Sequence, residues 1–284
     1  MADKPVYVIC PSSLQEIKNT ILSEKPNWNK YYFFKQIEEY AAQAKTFFGE
    51  YRHFEDFLEK LNIANVNVPK IYFYNIKTPK TTIEDNDGFQ LSNEGIAYDM
   101  GSVIEGNPEC CIAPKGLNQK KYVKIKIHNF ISARFNKEYI DNRAIAIANF
   151  VNNLVVKNYI VDLELFAEET FEEDWKEVCS TTFSMKIPTN IINIPRIAYI
   201  LSTEFYRGIL WLYGAIKVGN YNIDNGRNDI TDFEEEFTKC AKNNEFFIKA
   251  LNSDEDFSNF DSLEAANKAI LESWNKFVEI SGKE

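Results

Sequence analysis

The sequence predicts an α/β fold: a sheet with parallel strands and helices on its faces, flanked by helical extensions at both ends. Three observations carry this expectation. Val123, Ile125 and Ile127 alternate with Lys124, Lys126 and His128, the period of a strand with one buried face. From Lys137 to Lys157, the residues Ile140, Ala144, Ile147, Ala148, Val151, Leu154 and Val155 fall on one side of a helix. Ile160 to Phe166 then reads as a second apolar strand, and a strand, crossover helix and strand in that order form a parallel pair.

The other elements follow along the chain. Ser12 and Ser13 stand before Leu14, with Glu16 three residues after Ser13, which marks a helix start; the helix runs to about Ser23. After Pro26 an aromatic stripe at helical spacing, with Tyr32, Phe33, Ile37, Tyr40, Phe47 and Phe48, is broken at Gly49 and resumes through Phe54, Phe57, Leu58 and Leu61. Lys70 to Asn75 has strand composition, and Thr81 to Gly88 is a polar loop. Ile96 to Met100 leads through Gly101 into a helical turn that stops at Gly106-Asn107-Pro108. Glu109 to Ala113 is a further short strand, and Pro114 to Lys121 a loop.

The lysines of the Val123–Ile127 strand predict a polar face or an edge, away from the sheet centre. Asn158 offers a left-handed stop for the crossover helix. Glu168 to Asp174 reads as an acidic loop and Val178 to Ile187 as a strand. Pro195 to Tyr199 and Thr203 to Ile216 read as helices, the second apolar enough to be buried. Gly219 to Gly226 is turn-rich, and Asp229 to Val278 is helical with a break near Asn252 to Phe260. The division expected is a helical extension at 1–63, an α/β core at 64–220 and a second helical extension at 221–284.

Composition narrows the function classes. With 284 residues the chain can bury a substantial core, and 22 Phe and 15 Tyr argue for order rather than disorder. Acidic residues outnumber basic ones, 42 to 32, so the net charge of -10 repels phosphate backbones and argues against nucleic acid as a partner. Lys120, Lys121, Lys124 and Lys126 form the one basic strand region, read as a solvated face. The cysteines Cys10, Cys110, Cys111, Cys179 and Cys240 lack metal-ligand spacing and an even count, which predicts reduced thiols. No apolar run reaches the roughly 20 residues of a membrane span.

The motifs of P-loops, dinucleotide-binding turns, zinc hydrolases and nucleophile elbows are absent, and there are two histidines, His53 and His128. No cofactor and no metal centre is therefore expected. The segment from Tyr98 to Glu109 is the richest in chemistry: Asp99 and Glu109 flank a turn with two glycines, a spacing that could join two carboxylates for magnesium or acid/base work. Arg143 carries its charge among apolar helix neighbours and calls for a buried partner, Asp99 or Glu109. Asp99, Glu109, Arg143 and Arg207 are the candidate binding residues, the first three also the candidate catalytic set.

Gly106-Asn107-Pro108-Glu109, then a strand, Arg143 opening an apolar helix, a closing strand and Arg207 in an aromatic helix together resemble an uncharacterised family of bacteriophage-encoded proteins. Where that family often has Arg-Gly, this chain has Arg143-Ala144, and the glycine usual before the last strand is Asn158. The resemblance spans about residues 90 to 215 and implies a viral origin, in a host cytoplasm or a virion. The order of strand, loop, helix and strand also has a distant likeness to von Willebrand factor A domains, alongside a Rossmann-like sheet. The loop His128-Asn129-Phe130-Ile131-Ser132 lacks the aspartate and first serine of their metal-binding motif, which implies a scaffold without metal-dependent adhesion.

Two functions are expected from these readings. The leading one is a non-enzymatic protein that binds another protein, viral or host, or a second copy of itself, as a virion or assembly component or as an inhibitor of a host factor. The alternative is a magnesium-dependent or nucleotide-processing enzyme using Asp99, Glu109 and Arg143.

Overall fold

In a computed structural model of the chain, the residues described are 5–32, 89–92, 97–98, 111–114, 121–157, 159–174, 176–187, 194–222, 225–228, 230 and 232–282. The predicted crossover unit is present. Strand β5 (Lys121–His128), helix α2 (Lys137–Val156) and strand β6 (Tyr159–Glu173) follow in order, and β5 pairs with β6 in parallel from Lys121↔Tyr159 to His128↔Phe166. They belong to a mixed α/β structure whose main, mostly parallel sheet takes in β1 (Val6–Ile9), β7 (Lys176–Ile187) and β9 (Glu245–Ile248) and runs β1-β7-β6-β5-β9, with β8 (Asn225–Asn228) paired to β6 outside that path. A separate antiparallel sheet joins β2 (Phe89–Ser92), β3 (Ala97–Tyr98) and β4 (Cys111–Pro114) in the order β2-β4-β3.

Local chemistry accounts for the helix starts. Helix α1 (Leu14–Ser23) is capped by Ser13, whose hydroxyl accepts from the Glu16 amide at 3.2 Å, while the Glu16 carboxylate accepts from the Ser12 amide at 2.8 Å. Helix α2 is capped by Asn136, which accepts from the amides of Glu138 and Tyr139. From Arg143 to Val151 every residue of α2 is buried, more than a single apolar side requires. The reason is packing on several flanks: α3 (Ile194–Ile200) and α7 (Leu263–Ser281) lie against α2 as well as the sheet.

Several expectations are corrected. The acidic stretch after Phe166 is not a loop: β6 continues to Glu173 and forms a long hairpin with β7 (Lys176–Ile187), turning at Asp174 with φ 49°. Glu169 and Glu172 are buried there. The polar face expected of β5 is present; the strand is not itself an edge but flanks one among the described residues, because β9 (Glu245–Ile248) pairs with it in parallel on the side away from β6. Its lysines are accommodated by neighbouring carboxylates rather than by bulk water: Lys124 lies 3.0 Å from Glu164 and 2.7 Å from Glu245, and Lys126 lies 3.6 Å from Glu245.

The helical readings of both ends are also revised. Val6–Ile9 forms β1, parallel to β7, so the amino-terminal segment contributes a strand to the sheet. Between α5 (Phe233–Lys242) and α6 (Glu255–Phe260) stands β9, not more helix. The sheet thus draws strands from within all three predicted segments. The aromatic stripe beyond Tyr32, the Lys70–Asn75 strand, the turn from Asp99 to Glu109, His53, Lys120 and Asn158 lie outside the described residues.

The sheet has two unlike faces. In β5 and β6 the odd-numbered positions Val123, Ile125, Ile127, Val161, Leu163 and Leu165 are buried in the main core, as the period of two requires. The even positions carry Lys124, Lys126 and Glu164, with Tyr122 and Ile160 exposed side by side. Beyond the end of β5, the second half of the hairpin is covered by a π-helix (Glu204–Leu210) that continues as α4 (Trp211–Val218).

Candidate functional site

Polar groups converge where β5 and β9 end, the position at which α/β sheets usually meet their ligands. The loop after β5 is held on both sides: the Asn129 amide donates to the Phe166 carbonyl at 2.8 Å, and Ile131 bridges to Leu251 just after β9. Two arginines grip the same loop. Arg143, 1% exposed, reaches back from α2, and its Nη2 donates to the carbonyls of His128 at 3.0 Å and Lys249 at 2.8 Å. Arg207 on the π-helix donates from Nη2 to the Ser132 carbonyl at 2.8 Å.

The structure therefore brings together two of the four predicted binding residues, Arg143 and Arg207, at opposite ends of residues 128–132. Asp99 and Glu109 lie outside the described residues. Among those described, the acid that faces Arg143 is Asp256, fully buried at the start of α6; burial pulls the Arg143 pKa down and Asp256 opposes that. Oδ2 of Asp256 accepts from the amides of Asn252 and Ser253 at 2.8 and 2.7 Å, and Oδ1 lies 3.1 Å from Lys249 Nζ. Arg143 is thus an internal clamp that ties α2 to the ends of β5 and β9, rather than a side chain presented to solvent.

His128 is buried within an aromatic group, stacked on Phe166 at 5.0 Å and near Phe233 and Phe247. Neither ring nitrogen has a hydrogen-bond partner among the described residues. Burial, and then the nearby Arg143 charge, push its pKa down to about 3. A neutral, enclosed imidazole of this kind cannot act as a proton shuttle for an external substrate at neutral pH.

A small cleft opens on the other side of the loop, between the hairpin and the π-helix. It is lined by Asn129, by Glu169 and Phe171 of β6, by Phe183 of β7 and by Tyr206 and Trp211, with a cavity volume of ≈ 40 Å³. The Tyr206 hydroxyl accepts from the Ile131 amide at 3.3 Å and donates to Glu169 Oε1 at 3.1 Å. Burial, with Glu169 beside it, raises the Tyr206 pKa well above its ordinary value. Asn129 is 1% exposed, and among the described residues neither its side-chain oxygen nor its nitrogen has a hydrogen-bond partner.

Reading by segments missed Asn129, Glu169 and Tyr206. Asn129 lies in the loop that resembles a degenerate metal-binding motif, and Tyr206 in a helix whose apolar composition predicts core. The signal for Glu169 was available: Ala167, Glu169 and Phe171 continue the odd-position register of Leu163 and Leu165.

Among the described residues no group of three or more His, Cys, Asp or Glu side chains could hold a metal ion. Among them, too, no helix is long and apolar enough to cross a membrane. A family model described as "Domain of unknown function (DUF7192)" matches residues 77–217, the stretch from before β2 into α4. No curated protein and no solved structure matches the chain.

Proposed function

We propose that this chain, with a domain of unknown function through its middle, works without chemistry of its own, by holding an extended segment of another protein against β1. One observation carries the reading. Among the described residues β1 is the last strand on its side of the main sheet, and Val6 and Val8 are 70% and 73% exposed on it. Both lie in register with Ser180 and Thr182 of β7, so they continue the sheet's polar side, while Ile9 on the same strand is buried. An end strand offers unpaired main-chain donors and acceptors, and alternate exposed valines supply the apolar contacts that strand addition uses.

The net charge of -10 disfavours a second copy as the occupant and favours a partner segment with basic flanks. Exposed Tyr122 and Ile160, on the same face as the valines, would extend the contact to a larger partner. The setting proposed with it is that of a viral protein, a virion or assembly component or an inhibitor of a host factor, in the host cytoplasm or the particle. A degenerate von Willebrand factor A-like scaffold is the finer reading of the fold. The order β5, loop, α2, β6 supports it, as does a loop whose two end carbonyls, of His128 and Ser132, accept from Arg143 and Arg207.

The test compares the wild type with a Val6→Lys, Val8→Lys variant by retrieval of partners from cells in which the gene is expressed, and by size-exclusion chromatography with light scattering. The proposal requires that a partner protein bound by the wild type be lost from the variant while the melting temperature is unchanged. Retention of the same partners by both proteins, or no partner for either, refutes it.

A further inference from the structure

We infer that the cleft between the β6–β7 hairpin and the π-helix is a binding site for a primary ammonium group, free or at the tip of a lysine side chain, held by the Glu169 carboxylate within a cage of aromatic rings. The site is independent of what docks on β1. Four rings line the cleft: Phe171 of β6, Phe183 of β7, Tyr206 of the π-helix and Trp211, with which α4 begins. The rings of Phe171 and Trp211 lie 5.3 Å apart at 52°, so two walls meet in a corner instead of stacking flat. The face of an aromatic ring carries negative partial charge and attracts a cation placed over it. Among the described residues that line the cleft, Glu169 is the one charged group, and none is a lysine or arginine. Arg207, next to Tyr206, is turned to the Ser132 carbonyl instead. Rings and a carboxylate without a competing cation select a positive ligand and repel an anion.

Access and size narrow the ligand. In β7 the core-facing positions Cys179, Thr181, Met185 and Ile187 are buried, whereas Phe183 in the same row is half-buried, as is Trp211, so the cleft opens at these two rings. Glu169, at 7% exposed, lies deeper in the same lining. The Tyr206 hydroxyl donates to its Oε1 and orients the carboxylate without neutralising it. At ≈ 40 Å³ the cavity holds only two or three water-sized bodies, about 10–15 Å³ each on this measure. An ammonium and the methylenes next to it fit that space, with the rings as walls for the carbons; a tetraalkylammonium or a nucleobase does not. The cover is a seven-residue π-helix, a conformation rare in proteins and concentrated at functional sites.

The experiment uses the full chain with fluorine-labelled tryptophan, whose four positions give four fluorine NMR signals; the one missing from a Trp211→Phe variant reports the cleft. Ethylammonium is the free probe and N-acetyl-lysine methylamide the side-chain probe. Ethanol, acetate and tetramethylammonium are the controls, the first neutral, the second of opposite charge and the third too large. The melting temperature is measured in parallel, because a ligand selective for the native state raises it. The expected result is a saturable shift of the Trp211 signal with one or both primary ammonium probes, a matching rise in melting temperature, and neither effect from the controls.

A lysine derivative that binds at least about tenfold tighter than ethylammonium assigns the site to a side chain; a smaller ratio, with ethylammonium bound, assigns it to a free amine. Glu169→Gln keeps an acceptor for the Tyr206 hydroxyl and removes the charge, and should weaken both primary ammonium probes at least about tenfold. The comparison of ethylammonium with ethanol on the wild type stands even if that variant does not fold. No saturable response to either primary ammonium probe, an equal response to any control, or unchanged affinity in a folded Glu169→Gln variant overturns the proposal.

Discussion

Replacing His128 with Phe should make the protein resistant to mild acid. His128 has a folded-state pKa of about 3 against an ordinary value of 6.5. Below pH 6.5 the unfolded chain takes up a proton there that the native state refuses, so the unfolded state binds more protons and stability falls as the pH drops towards 3. At pH 4.5, two units below the ordinary value, the loss attributable to this residue is about 2.7 kcal/mol at ~1.36 kcal/mol per unit. Phenylalanine has no such titration and fits an environment already made of Phe166, Phe233 and Phe247 rings.

At pH 7 the variant should be at least as stable as the wild type, because each enclosed polar group without a partner costs about 1–3 kcal/mol. Urea denaturation of both proteins at pH 7 and 4.5 gives the difference of differences directly, with the common contribution of the carboxylates cancelling. Equal losses of stability in the two proteins between those pH values would refute the assignment of a buried, neutral imidazole.

Arg143→Met should destabilise the chain by about 3–5 kcal/mol in the same assay, since it strips the His128 and Lys249 carbonyls of their donor and leaves Asp256 with Lys249 as its charged partner; a loss under about 1 kcal/mol would contradict the clamp. Tyr206→Phe removes the hydroxyl that accepts from the Ile131 amide and donates to Glu169, and should cost about 1–2 kcal/mol by thermal unfolding. Val8→Lys, on an exposed position, should leave stability within about 0.5 kcal/mol of the wild type, which circular dichroism melts would check.

What could be read from the sequence follows from which forces were local. Ser13 and Asn136 cap their helices through side chains adjacent in the chain, and the 3.6 and 2.0 periods of α2 and β5 report their buried faces. Beyond Phe166, four glutamates between Glu168 and Glu173 obscured a strand whose odd positions face a cleft and whose other flank pairs with β8. β1 and β9 are four residues each, shorter than any periodicity can identify, and they exist because β7 and β5 offer them a ladder. The burial of Arg143 was legible, from a charge set among alanines and isoleucines; its carbonyl partners were not, because Lys249 stands 106 residues away. The Asn129–Glu169–Tyr206 cleft joins three elements brought together only by the sheet register and the π-helix.

The most direct test of the proposed function is site-specific photocrosslinking. A benzophenone-bearing amino acid is placed at position 8 on β1 and, as a control of similar exposure, at position 271 on α7, and the adducts formed in cells expressing the gene are sequenced. A single partner segment joined at position 8 and not at 271 is the predicted result. No adduct at position 8, or the same adducts from both positions, would contradict the account.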